Sequence, residues 1–400
     1  MTSTASSLDR LAQHRQQFPA LLTKHYFNYG GQGVLPESAI AAIAQAHHNS
    51  QQQGPFSTQV NQWMSQEMAQ TREAIAHQLH VSPHTISLTE NVTIGCNIVL
   101  WGIDWQAGDH LLLTDCEHPG VVGAALELQQ RFGIEVSICP MMETLNQGDP
   151  AAVIAQHLRP TTRLVVLSHI LWNTGQVLPL QAIVAQCHQF RDESGGDRPP
   201  VRVLVDAAQS IGVLPLDLEA LGVDAYAFTG HKWLCGPAGL GGLYLSPAAR
   251  EVIRPTMIGW RGVTKNAQGH PTGFSTDSQR YEIATSDFTL YGALRGAIAL
   301  HDQWGTSQDR YQRICQLSSY LWHQLQDMPQ ITCLRTTPPE AGLVSFTIAN
   351  TPHAPLVSTL EQKGFLLRTI LEPDCIRACV HYLTLEQEID QLIQALRQLL

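Results

Sequence analysis

The chain has 400 residues, 44% of them apolar and 14% charged, enough for two or three domains or for one large and one smaller. Its 24 Lys and Arg stand against 34 Asp and Glu, a formal net charge of −10. That balance argues against a general affinity for nucleic acid or an anionic membrane, which needs clustered Lys and Arg. There is no apolar run of about 18 residues to span a bilayer, and the first twenty residues, with Arg10, His14 and Arg15 and no apolar block, do not read as a secretory signal. The expectation is a globular cytoplasmic protein with no membrane and no nucleic-acid partner. Nine cysteines, at 96, 116, 139, 187, 235, 315, 333, 375 and 379, form no CxxC pair. They read as small buried hydrophobes rather than a disulfide framework or a zinc knuckle, and no metal is expected.

In chain order, Ser7 to Phe18 reads as a short helix capped by Ser7 and stopped by Pro19. Residues 36–53 and 57–80 read as longer helices, the second with Trp63, Met64, Ala74, Ile75 and Leu79 as a core stripe. From about residue 85, short apolar runs alternate with amphipathic ones. The runs are 85–89, 110–115, 134–139, 163–169, 201–206, 225–230 and 241–246, and helix-length segments at 119–132, 150–158 and 179–192 lie between several of them. Buried β-branched strands alternating with helices predict a mostly parallel sheet covered on both faces. Ligands in such sheets bind at the C-terminal strand ends. Gly195, Gly196, Pro199 and Pro200 mark one loop and 266–279 a longer one. Beyond it, 287–327 reads as helical, 343–349 as a strand and 384–400 as a terminal amphipathic helix. The reading is a large α/β domain over 20–285, with 1–19 and 286–400 forming a smaller α+β domain.

Two strand ends carry the chemistry. In VLVDAAQS (203–210) an apolar strand ends at Asp206, followed by small residues and Gln209; in FTGHKWLCGPAG (228–239) a strand ends at Thr229, Gly230, His231 and Lys232. Alone, the first is an ordinary loop cap and the second a solvated lysine. Together, a carboxylate and a primary amine 26 residues apart at one sheet edge are what pyridoxal 5'-phosphate (PLP) requires. The lysine forms the Schiff base, and the aspartate keeps the pyridine nitrogen protonated so that the ring acts as an electron sink. TENVTIGCN (89–97) follows a strand and opens a helix. There Val92, Thr93 and Gly95 offer a phosphate cradle of backbone amides and helix dipole, or merely a helix cap. Thr229 and His231 add donors. His118, in TDCEHPG, follows another strand end, where its ring could lie against the pyridine or simply face solvent.

With these residues in view, nearly the whole chain resembles the class V aminotransferases of the fold-type I PLP enzymes, a group that includes cysteine desulfurases, cysteine and cystine C–S lyases and isopenicillin N epimerase-like proteins. YFNYGGQGVLP (26–36) resembles the entry strand and loop of that family. The resemblance implies that Lys232 binds the cofactor aldehyde, Asp206 the ring nitrogen and Gln209 the phenolic oxygen. It implies that Thr93 and His231 hold phosphate and that His118 stacks on the ring. RYEIAT (280–285) resembles a segment whose threonine reaches the neighbouring subunit's phosphate, so Thr285 implies a homodimer. GFLLRT (364–369) resembles the strand whose arginine clamps the substrate α-carboxylate, which implies that role for Arg368, with Arg377 of CIRACV as a second candidate.

Departures from the family narrow the reading. Desulfurases follow the arginine strand with a loop bearing a nucleophilic cysteine; here only Thr369 to Asp374 separate Arg368 from Cys375. In HILWNTGQVLP (169–179) either Trp172 or Asn173 faces the cofactor, and MIGWRGV (257–263) brings Trp260 and Arg261 as possible substrate contacts. A missing cysteine loop beside intact cofactor machinery points to β-elimination on L-cysteine or L-cystine. The alternatives are a desulfurase using Cys375, or an epimerase or aminotransferase on another amino acid.

Overall fold

The structure is a computed structural model that describes residues 7–190 and 200–400. Gly195, Gly196 and Pro199 of the expected loop lie outside the described residues. A seven-stranded sheet fills the large unit, in the order Ile86–Thr89, Gly241–Leu245, Ala225–Thr229, Arg202–Asp206, Thr162–Ser168, His110–Thr114 and Glu135–Cys139. All run parallel except Gly241–Leu245, which is antiparallel to both neighbours. Every run read from the sequence as a strand between 85 and 246 is one. Successive side chains of a strand point to opposite faces. Accordingly Val165, Leu167, Val203 and Val205 join one apolar core with Ile75, Leu79, Ile183 and Leu294. Leu164, Val166 and Leu204 join the other with Cys96, Val99, Val121 and Leu128. Covering both faces is what lets unbroken apolar strands stay buried.

The smaller sheet is antiparallel, in the order Ile331–Cys333, Leu343–Ile348, Asp374–Cys379 and Arg368–Leu371. Helices Ser307–Gln326, His353–Gln362 and Glu386–Leu399 bury Leu317, Leu321, Leu360, Ile389, Leu392 and Ile393 against it. Helix Thr289–Trp304 instead packs against helices Glu37–Gln53 and Thr58–Leu79. The N-terminal helix, Ser7–Arg15, is tied to the C-terminal region. Arg15 donates to the Leu383 carbonyl and pairs with Glu388 at 2.8 Å, and His14 Nε2 meets the Tyr382 hydroxyl at 3.0 Å.

Two expectations need correction. The first helix stops at Arg15, and Pro19 opens a separate 3-10 turn, Pro19–Leu22; a residue preceding proline is pushed out of the helical region. The stretch 266–279 is not all loop. Pro271–Phe274 pairs antiparallel with Val263–Lys265. Asn266 closes that hairpin by accepting the Gln268 and His270 amides on Oδ1, so its Asn and Gly are turn chemistry between strands. Among the described residues, no helix is long and apolar enough to cross a membrane, and no three His, Cys, Asp or Glu are grouped to hold a metal ion.

Candidate active site

Three parallel strands end together. Ser168 lies in register with Asp206, and Asp206 with Ala227. Above these ends lies a cavity of about 340 Å³. Its walls include Lys232, Asp206, Gln209, His118, Val92, Thr93, Thr229, His231, Arg368 and Arg377. Ten side chains drawn from sequence segments up to 285 residues apart are thus brought to one chamber.

Asp206 is 6% exposed and accepts the Ala208 amide on Oδ1 at 2.9 Å. Burial raises its pKa, opposed by that amide and by Lys232. Burial pushes Lys232 the other way, down to about 8, with Asp206 opposing and Arg377 and Arg368 adding to the fall. An amine so placed is neutral in part near physiological pH and can act as nucleophile and base. The Lys232 loop is pinned from outside. The Gly33 amide donates to the His231 carbonyl at 2.7 Å, and a Cβ at Gly33 would stand 2.0 Å from the Lys232 carbonyl oxygen. Only glycine lets the 26–36 loop come that close.

Gln209 is held at both ends of its amide. Nε2 donates to the Gly30 carbonyl at 3.0 Å and Oε1 accepts from Trp233 Nε1 at 2.8 Å. One amide hydrogen is left for the cavity. At the opposite wall, Asn91 caps helix Val92–Gly102 by accepting the Ile94 amide at 3.0 Å. The cap is Asn91, not Thr93. The first-turn amides of Val92 and Thr93 have no helical acceptor, and both residues line the cavity. Thr229 Oγ1 lies 2.6 Å from His231 Nδ1, which makes His231 Nε2 the donor when threonine donates. His118 Nδ1 accepts the Gly120 amide at 3.1 Å, placing the ring proton on Nε2. Burial lowers the pKa of both histidines, which favours their neutral forms.

Behind the cavity Glu117 is buried. Its carboxyl accepts the Thr114 hydroxyl at 2.6 Å, the Ser168 amide at 3.0 Å and the Ser168 hydroxyl at 3.0 Å. Burial raises its pKa to about 8, against the pull of those hydrogen bonds.

Two residues expected as substrate contacts, Asn173 and Trp260, lie outside the cavity, as does Thr285, expected at a neighbouring subunit's phosphate. Trp172, not Asn173, lines the cavity; Asn173 turns away to donate to the Glu372 carbonyl at 3.2 Å. The turn after strand Thr162–Ser168 sends adjacent side chains in opposite directions, so Asn173 is corrected from the cavity wall to a loop brace. Trp260 is 50% exposed and Thr285 is also exposed, both outside this chain's cavity. They lie on adjoining segments, since the Arg261 amide donates to the Ile283 carbonyl at 3.3 Å. Residues not singled out from sequence also line the cavity: Gly30, Gly31, Asn91, Ser168, Ile170 and Ala208. Asn91 carried a readable signal as an N-cap residue before an apolar run, and Ser168 as a polar strand end opposite Asp206.

Arg377 is 2% exposed, donates Nη1 to the Trp172 carbonyl, and has an unpartnered Nε. Arg368, exposed at the rim, lies directly opposite it across the strand pair. The link between those strands is a tight hairpin, and Cys375, fully buried beyond it, has its thiol pushed up to about 12 by burial.

Comparison with known proteins agrees with this architecture. Two structures of C-DES superpose at TM-scores of 0.93 and 0.92 with 52% identity over 96% and 95% of this chain and 98% and 99% of theirs. One is a mutant with glycine covalently linked to the PLP cofactor; the other is the cystine C–S lyase with its reaction product, cysteine persulfide. Isopenicillin N epimerase of Streptomyces clavuligerus is 28% identical over 92% of this chain and 93% of its own. A cysteine desulfurase of Yersinia pseudotuberculosis serotype O:1b is 28% identical over 84% of this chain and 83% of its own. The aminotransferase class-V family model matches residues 25–393, and the chain belongs to that family.

Proposed function

We propose that the protein is a PLP-dependent carbon–sulfur lyase that cleaves L-cystine by β-elimination to pyruvate, ammonia and cysteine persulfide. The observation that carries this reading is the hairpin after Arg368. Among the described residues no thiol lines the cavity, and Cys375 is buried within a strand, its thiol pushed up to about 12 by burial. A desulfurase needs a thiolate that reaches the substrate sulfur. The 52% identity to the cystine lyase C-DES supports the same conclusion.

The donor set fits PLP. Lys232 would attach the aldehyde and Asp206 would hold the ring nitrogen protonated. The free Gln209 N–H would meet the phenolic oxygen, and Val92, Thr93, Thr229 and His231 would take the phosphate. When bound, the cofactor supplies an electron sink for the pair released as the Cα–H bond breaks. Lys232, once freed by the substrate amine, takes the Cα proton on Nζ, a role suited to its lowered pKa. Arg377, buried and fixed by the Trp172 carbonyl, fits the α-carboxylate better than Arg368, because a buried guanidinium without a counter-charge favours an anion there. His118 and Trp172, ring centroids 6.1 Å apart, wall the reacting side. The persulfide leaves from Cβ without a nucleophile from the protein.

We further propose a homodimer in the cytoplasm, with Thr285 completing the partner's phosphate site. The exposed Met257, Ile258, Trp260 and Phe274 near Thr285 support an apolar interface there. Holoenzyme incubated with L-cystine tests the main reading. Pyruvate is expected; alanine would return the protein to the desulfurases, and a D-amino acid to the epimerases.

A further inference from the structure

The turn that carries Lys232 leaves two buried carbonyls to be satisfied. Residues Lys232 to Cys235 form a β-turn, closed by the Cys235 amide on the Lys232 carbonyl at 3.0 Å. Cys235 sits at φ 50, a backbone conformation that a side chain disfavours. Gly212 presses on the turn from outside, where a Cβ would stand 2.8 Å from the Trp233 carbonyl carbon. Among the described residues the Trp233 and Leu234 carbonyls take no backbone amide. Each takes an imidazole instead. His381 Nε2 lies 3.2 Å from the Trp233 oxygen, and His301 Nε2 lies 2.9 Å from the Leu234 oxygen. A carbonyl only accepts, so both rings carry a proton on Nε2. The opposite nitrogens agree. His381 Nδ1 accepts the Leu383 amide at 3.4 Å, and His301 Nδ1 accepts the Tyr382 hydroxyl at 2.6 Å. The Tyr382 oxygen then accepts from His14 Nε2 at 3.0 Å. Donation therefore runs one way, from helix Ser7–Arg15 through Tyr382 and His301 to the turn. Burial favours the neutral form of all three histidines. His301 and His381 both lie outside the cavity walls.

We propose that His301 and His381 are positioning residues that hold the Lys232 turn, and through it both Lys232 Nζ and the Gln209 amide. The assignment rests on the lyase reading above, in which Lys232 is both attachment point and base. Lys232 serves twice in each turnover on a flexible four-carbon stem, so its backbone end is the part the fold can fix. The two imidazoles fix it, since a buried carbonyl that loses its donor pulls the chain toward another one. The next residue of the turn carries the effect to the second group. Trp233 Nε1 donates to Gln209 Oε1 at 2.8 Å, which sets the direction of the amide hydrogen left for the cavity. A misplacement of about 1 Å at a reacting group costs on the order of a hundredfold in rate.

The test replaces each histidine by asparagine and by glutamine. Asparagine places its amide where Nδ1 stands and cannot reach the carbonyl; glutamine extends a donor to where Nε2 stands. In holoenzymes given L-cystine, His301→Asn and His381→Asn should lower kcat by roughly tenfold to a hundredfold and leave KM within about twofold. At equal cofactor loading they should also weaken the visible circular dichroism of the bound cofactor. His301→Gln and His381→Gln should recover most of both. Leu392→Ala, a core change in the terminal helix, should lower the melting temperature while leaving kcat and the dichroism at parent values. Asparagine variants with parent kcat and dichroism, or glutamine variants as impaired as the asparagine ones, overturn the assignment, as does a Leu392→Ala enzyme with the same kcat loss. If the asparagine variants do not fold, the ring nitrogens of 15N-histidine-labelled parent holoenzyme decide, with the glutamine variants assigning the resonances. Both rings should carry the proton on Nε2, and a proton on Nδ1 of either overturns the assignment. A parent that makes no pyruvate would refute the lyase reading itself, whereas the dichroism and the ring nitrogens would still judge the turn.

Discussion

Replacing Glu117 by glutamine should stabilise the protein, and more so as the pH rises. The carboxyl is buried behind Asp206, and burial lifts its pKa from 4.5 to about 8. Below about 4.5 the side chain is protonated in both folded and unfolded chains, and burial carries no charge penalty. Between 4.5 and 8 the unfolded chain gives up the proton while the fold retains it, so rising pH favours unfolding. Fully developed, the effect is on the order of 5 kcal/mol, less to the extent that water reaches the site. Glutamine reproduces the protonated acid. Its oxygen can accept from Thr114 and the Ser168 amide, and its nitrogen can donate to the Ser168 hydroxyl, the three contacts Glu117 makes. For a chain of 400 residues, 5 kcal/mol corresponds to about 6 °C in Tm. Thermal unfolding of parent and Glu117→Gln holoenzymes from pH 5 to 9 measures it. The midpoints should lie within about 1 °C of each other near pH 5, separate as pH rises to about 8 and hold that gap above it, with the variant higher. A constant offset, or a variant less stable at pH 9, would refute the reasoning. It would show Glu117 ionised in the fold, its three hydrogen bonds outweighing burial.

Borohydride reduction followed by peptide mapping should place the pyridoxyl label on Lys232, and Lys232→Ala should abolish pyruvate formation; a label elsewhere removes the central assignment. Cofactor retention should fall as the protein is diluted through its dimer dissociation range, and Thr285→Val should weaken retention, as read by absorbance after gel filtration; a monomer with full occupancy argues against the shared phosphate site. Burial holds His14 at about 4 and His301 at about 3, and holds His381 well below its ordinary value. Because these folded values lie below the unfolded one of 6.5, stability is complete above 6.5 and is lost as pH falls toward 4. A urea-unfolding free energy that stays flat across that window would contradict the buried neutral histidines.

The strands were legible because their apolar runs are short and β-branched, and the site's core because Asp206 and Lys232 each follow such a run. Where a side chain points after a strand was not. Trp172 and Asn173 are adjacent, and only the packing of the turn against the Glu372 carbonyl decides between them. The resemblance points to Arg368 for the α-carboxylate, with Arg377 second. It is burial and the Trp172 carbonyl, neither of them readable from sequence, that set Arg377 apart. The hairpin closed by Asn266 was hidden because Asn, Gly and Pro mark loops and tight turns equally.

The account stands most directly on whether elimination proceeds without a protein thiol. The Cys375→Ala holoenzyme, given L-cystine, should release pyruvate and cysteine persulfide in equal amounts at a rate close to that of the parent. Loss of turnover in a folded, cofactor-loaded variant, or alanine in place of pyruvate, would contradict it.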